Sequence, residues 1–133
     1  MTALLGLLIK VWLFLWYAVI PANPVGPTED QRCPDYEGAM AIHGLPYEQF
    51  SYVAWRESRC DPTQINSDDP NGGSFGLLQI NAIHIKDIEA RPQLWMGVEM
   101  CRVETTDDLL VAWKNICVAS FLHAHAGEKP WRV

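Results

Sequence analysis

The first twenty residues, MTALLGLLIKVWLFLWYAVI, carry one charge, Lys10, and everything after them must be organised around that fact. The unbroken apolar run Val11–Ile20 has the length of a signal-peptide core. Taken from Ala3 to Ala22, the segment reaches the roughly 20 residues that span a bilayer. Trp12, Trp16 and Tyr17 are amphipathic aromatics suited to a membrane interface. Residues 1–22 are therefore expected to be a signal peptide or membrane anchor rather than a buried core helix. Small residues around Ala18–Ala22 offer a weak cleavage pattern, interrupted by Pro21. Pro21, Pro24 and Pro27 then recur every three residues, which predicts an extended, semi-rigid linker over 23–32. The folded domain is expected at 33–133.

The other 9 basic and all 16 acidic side chains lie beyond residue 20. So acidic a domain is a poor ligand for a phosphate backbone, and a nucleic-acid partner is excluded on that ground. Hydrophobic residues make up 49% of the chain, enough for a core in a single domain. Four cysteines, Cys33, Cys60, Cys101 and Cys117, all follow the linker. An even count in an exported small domain predicts two disulfides, with three possible connectivities. Cys33–Cys60 with Cys101–Cys117 is the favoured one, because each bond then ties neighbouring elements. No C-x-x-C pair is present to suggest zinc or thioredoxin-like chemistry.

The body reads as mainly α. Pro34–His43 fits a short helix that Gly44 stops. Pro46 opens a second, with Tyr47, Phe50, Val53 and Ala54 on its apolar side, and Asp61-Pro62 is expected to end it. Residues 64–74, QINSDDPNGGS, are dense in turn formers. Apolar spacing consistent with a helix or turns resumes over 75–88. Thr105-x-x-Asp108 predicts the start of a long helix whose buried face is Leu109, Leu110, Trp113, Ile116, Cys117, Ser120, Phe121 and Ala124, closed by Gly127. No strongly alternating strand and no internal repeat is seen.

Glu57 falls on the apolar side of the second helix, beside the turn-rich loop. A carboxylic acid on an apolar wall resists ionisation, the property a general acid needs to protonate a glycosidic oxygen. Position alone favours the plainer alternative, an ion pair with Arg56, Arg59 or a lysine at the helix end. The surroundings change that balance. Nineteen residues after Glu57-Ser58 stands Gly76-Leu77-Leu78-Gln79-Ile80-Asn81. The stretch WRESRCDPTQINSDDPNGGSFGLLQIN resembles the lysozyme superfamily, in particular its soluble lytic transglycosylase-like branch. The resemblance extends over about residues 33–133, more weakly through Asn115-Ile116 and Gly127-x-x-Pro130-Trp131.

That resemblance implies a lysozyme-like helical domain that cleaves the β-1,4 bond between N-acetylmuramic acid and N-acetylglucosamine in peptidoglycan. It implies Glu57 as general acid and then base, and Gln79 in the cleft near acetamido or carbonyl groups. Ser58, shaping the helix end beside Glu57, joins Gln79, Asn81 and Asn115 as expected substrate-binding residues. The tyrosine that family members carry near the late helix is absent or displaced in SFLHAHAGEKPW. His123 and His125 are candidates to replace it, although a polar helix end accounts for both, and an H-x-H pair without a third ligand is weak evidence for a metal. No cofactor is expected.

Animal lysozymes carry an acid two positions before the glycine of the GLLQIN-like stretch, where this chain has Ser74. Two-carboxylate hydrolysis needs a partner across the scissile bond. Asp68 and Asp69 are the candidates, on a loop that otherwise reads as an ordinary turn. Transglycosylation, in which the sugar's own 6-hydroxyl closes on the anomeric carbon, is the preferred expectation. Hydrolysis and a non-catalytic wall-binding or virion structural module on the same scaffold are the alternatives. The run Asn66, Asp68, Asp69, Asn71 lacks the terminal Glu of a calcium loop and contains Pro70. Trp55, Trp95, Trp113 and Trp131 can all be core, with Trp95 a lesser candidate for sugar contact. The protein is expected to be secreted or membrane-anchored, facing the bacterial cell wall.

Overall fold

The structure, a computed structural model, describes residues 28–86 and 99–132. The expected signal or anchor segment 1–22, the first part of the linker and Trp95 lie outside the described residues. Among the described residues, no helix is long and apolar enough to cross a membrane. Residues 28–32 form a 3-10 turn, Glu29–Gln31, packed against the second helix, and Arg32 pairs with Glu37 at 2.7 Å.

Helix α1 (Pro34–Ile42) starts on proline, whose missing N–H costs nothing in a first turn. It ends where Gly44 takes φ +76°, as the sequence predicts. Helix α2 (Tyr47–Ser58) packs against it, burying Phe50, Ser51, Val53, Ala54 and Ser58. Tyr47, expected on the apolar side, is 43% exposed. The helix stops at Ser58 and not at Asp61-Pro62, because Arg59 and Cys60 both turn left-handed. That early stop brings Cys60 back to Cys33, and the two are disulfide-bonded. The second disulfide joins Cys101 to Cys117, completing the favoured connectivity.

Three two-residue strands were not visible in the sequence. β1 (Ile65–Asn66), β2 (Ser74–Phe75) and β3 (Ile80–Asn81) form an antiparallel sheet in that order. Phe75 lies opposite Ile65 on one side and Ile80 on the other. Strands this short cannot display an alternating pattern. A single helical turn, α3 (Ile83–Lys86), follows.

The long helix also differs from expectation. Thr105 and Asp108 open a 3-10 turn, Thr106–Leu110, and Val111 is extended at φ −90°, ψ 115°. Helix α4 (Ala112–Ala126) begins only after it and ends at Gly127. The break at Val111 resets the helical phase, so the buried face is Asn115, Ile116, Cys117, Val118, Ala119 and Leu122. Trp113, expected in the core, is 46% exposed. The chain closes with the 3-10 turn Lys129–Trp131, whose Trp131 is buried. Phe50, Met40, Leu77, Leu78, Ile80, Leu109 and Ile116 make the centre of one core shared by helices and sheet.

Candidate active site

The segment Gly76–Gln79 between β2 and β3 passes through the core, and its backbone groups need partners there. Side chains from three separate elements supply them. Ser58, at the end of α2, places its hydroxyl 2.8 Å from the Leu77 carbonyl and 2.9 Å from Ala54 O. Asn115 of α4 accepts the Leu78 N–H at 2.9 Å and donates to Phe75 O and Leu109 O at 2.8 and 2.9 Å. The Trp131 indole N–H donates to Leu78 O at 2.8 Å. Gly76 is required by this crowding: at φ +78°, a Cβ there would stand 2.1 Å from Leu109 O and 2.4 Å from Asn115 Nδ2.

This clamp delivers Gln79 to the edge of a cleft of about 490 Å³. Glu57, Asp69, Ser74, Gln79 and Asn81 line it, together with His84, Leu122 and the C-terminal residues Pro130, Trp131 and Arg132. Glu57, Gln79 and Asn81, separated in sequence, are thus brought together. Ser58 and Asn115 do not line the cleft. They are 5% and 0% exposed and spend their polar groups on backbone, where they hold the turn that carries Gln79.

Gln79 sits at φ +50° and its amide NH₂ donates to Gly76 O and Gln64 O at 2.9 and 3.1 Å. With both N–H groups engaged, what it offers a ligand is its carbonyl oxygen. Asn81 is used more fully. Its Nδ2 donates to Pro70 O at 2.8 Å and lies 3.4 Å from Ser74 Oγ, while its Oδ1 accepts the Ile83 N–H that opens α3.

Glu57 is not enclosed by the apolar wall expected of it. Its side chain is 28% exposed and pairs with Arg56, as the plainer alternative holds. Arg56 Nη2 and Nε both reach the same oxygen, Oε1, at 2.8 and 3.2 Å. Arg56 also donates to the Trp131 carbonyl. The carboxylate therefore combines an opening onto the cleft with a cation at its back.

Of the two candidate second acids, Asp69 lines the cleft and accepts from Asn66 Nδ2 at 3.2 Å. Asp68 is exposed and outside it. Ser74, on β2, lines the cleft and is 4% exposed. His123 and His125 are not among the lining residues. The His123 ring packs edge-on against Phe50 with centroids 5.1 Å apart, and its Nε2 is 3.6 Å from Glu128. His125 is exposed. Among the described residues, no group of three His, Cys, Asp or Glu side chains could hold a metal.

Sequence reasoning did not single out His84 or Arg132 as cleft residues. Trp131 was visible through its Gly-x-x-Pro-Trp context and as a candidate core residue, not as part of a cleft. No known protein-family model, curated protein or solved structure matches the chain.

Proposed function

We propose that the chain is a peptidoglycan lytic transglycosylase on a lysozyme-like helical scaffold, exported and facing the bacterial cell wall. The observation that carries this reading is the convergence of Glu57, Gln79 and Asn81 on one open cleft that also contains Ser74. The two disulfides support export, since such bonds persist in oxidising compartments. Residues 1–22 supply either a cleaved signal or an anchor, and the glycan strand is the partner.

In this mechanism the strand lies along the cleft with the bond between N-acetylmuramic acid and N-acetylglucosamine beside Glu57. Protonated Glu57 gives its proton to the glycosidic oxygen as the bond from that oxygen to the anomeric carbon breaks. The carboxylate then takes the proton from the muramic acid 6-hydroxyl as that oxygen bonds to the anomeric carbon. The product carries a 1,6-anhydro ring, no water is consumed, and Glu57 returns to its protonated form. The Gln79 carbonyl is placed to accept a hydrogen bond from an acetamido N–H. No cofactor enters.

One observation favours a second reading. Asp69 shares the cleft with Glu57, as a hydrolytic muramidase would require of a second carboxylate. Mass spectrometry of digested peptidoglycan separates the two. Anhydromuramyl ends that persist in Asp69→Asn support transglycosylation. Reducing ends that vanish in Asp69→Asn establish hydrolysis instead. An absence of any product from the oxidised protein returns the fold to a wall-binding role.

A further inference from the structure

We propose that Arg56 is a positioning residue for Glu57, its guanidinium braced by the Trp131 carbonyl so that one carboxylate oxygen is fixed and the other is left to move the proton. The proposal rests on Glu57 as the general acid and assigns the work of its two oxygens. Both Arg56 bonds to Glu57 end on Oε1. Among the described residues, no hydrogen bond reaches Oε2. Consecutive residues on a helix do not face each other, so a pair at i and i+1 is not a default outcome of helical geometry. An anchor outside the helix is needed to turn Arg56 onto its neighbour.

Trp131 is that anchor, 75 residues along the chain. It is itself fixed: its indole N–H is bonded to Leu78 O at 2.8 Å, and its ring meets Phe50 edge-on with centroids 4.9 Å apart. A continuous path thus runs from the core, through Trp131 and Arg56, to the carboxylate at the cleft. The guanidinium fork binds a carboxylate and a carbonyl together, which the point charge of a lysine does poorly.

The consequence for the chemistry lies in the state after the first proton transfer. Protonating the leaving oxygen turns Glu57 into an anion, and a pre-placed cation stabilises that anion without rearrangement. The other charged or titratable groups around the cleft are Asp69 from the loop before Pro70, His84 on α3 and Arg132 after the last turn. Of the basic side chains, Arg56 alone forms an ion pair with Glu57 among the described residues. Fixing Oε1 also means that the proton leaves from, and returns to, the same oxygen.

The test compares Arg56→Gln, Arg56→Lys and Glu57→Gln in the oxidised full chain, on soluble uncrosslinked peptidoglycan strands. Arg56→Gln is expected to lower kcat by roughly tenfold or more, with KM within about twofold and Tm nearly unchanged. Arg56→Lys, which keeps the charge but not the fork, is expected to recover part of kcat. Unchanged kcat in Arg56→Gln beside an inactive Glu57→Gln would overturn the positioning role and leave Glu57 as the acid. A loss of kcat matched by a fall in Tm and equal in both Arg56 variants would overturn it as merely structural. Activity surviving in Glu57→Gln would remove the underlying reading itself.

Discussion

Asn115 accepts the Leu78 amide N–H at 2.9 Å, and Ser58 donates to the neighbouring Leu77 carbonyl at 2.8 Å. Between them the two residues hold the turn that carries Gln79, and neither reaches the cleft. Their value is geometric: they bring a residue 22 positions after Glu57 to the same opening.

Loss of this clamp is expected to appear as lost stability before lost chemistry. Asn115→Ala leaves the Leu78 amide and two carbonyls without their partner in a fully buried site. Its cost is expected to be about 3 kcal/mol, or roughly 10 °C in Tm. Ser58→Ala removes a single shared proton and should cost about 1 kcal/mol. Thermal unfolding of both variants checks the order; a cost for Ser58→Ala above that of Asn115→Ala would contradict it.

Gly76→Ala should be the most damaging small change in the turn. The left-handed backbone penalises any side chain there, and the new methyl would overlap both Leu109 O and the Asn115 amide. A destabilisation of several kcal/mol, or failure to fold, is expected. Yield and circular dichroism of the variant provide the check, and a Tm within about 2 °C of the parent would refute this account of the glycine.

The Asp108 carboxylate accepts the backbone N–H groups of Glu104 and Thr105 at 2.8 and 3.1 Å and also meets Lys114. These bonds, the two backbone ones foremost, lower its pKa from 3.8 to about 2. A depressed carboxylate stabilises the fold above its unfolded value and loses that contribution as pH falls through the folded one. Asp108→Ala is therefore expected to be less stable than the parent at pH 7 by about 1 kcal/mol, the size of a helix cap. The gap should narrow between about pH 4 and pH 2. Urea unfolding at several pH values measures it; a gap that widens on acidification would contradict the assignment.

The parts of this molecule legible in the sequence are those written in local chemistry. Pro34, Gly44 and Gly127 mark helix ends because proline and glycine act on their own backbone. Glu57 and Gln79 stood out through the nineteen-residue interval between their motifs, and the structure places both on one cleft. Ser58 and Asn115 were singled out through the resemblance as substrate-binding residues, but residue type does not say whether such a group binds backbone or ligand. The phase of α4 was lost because one extended residue, Val111, separates it from the preceding turn. The contact between Arg56 and Trp131 joins residues 75 positions apart and has no local signature at all.

The measurement that bears most directly on the central claim is peptidoglycan cleavage by the oxidised parent beside Glu57→Gln, with products read by mass spectrometry. The substitution keeps the size of the side chain and an acceptor for Arg56, but it cannot give up a proton as a carboxylic acid does. The account predicts anhydromuramyl ends from the parent and a loss of about a thousandfold or more in the variant, at an unchanged fold. Equal cleavage by both proteins would contradict it.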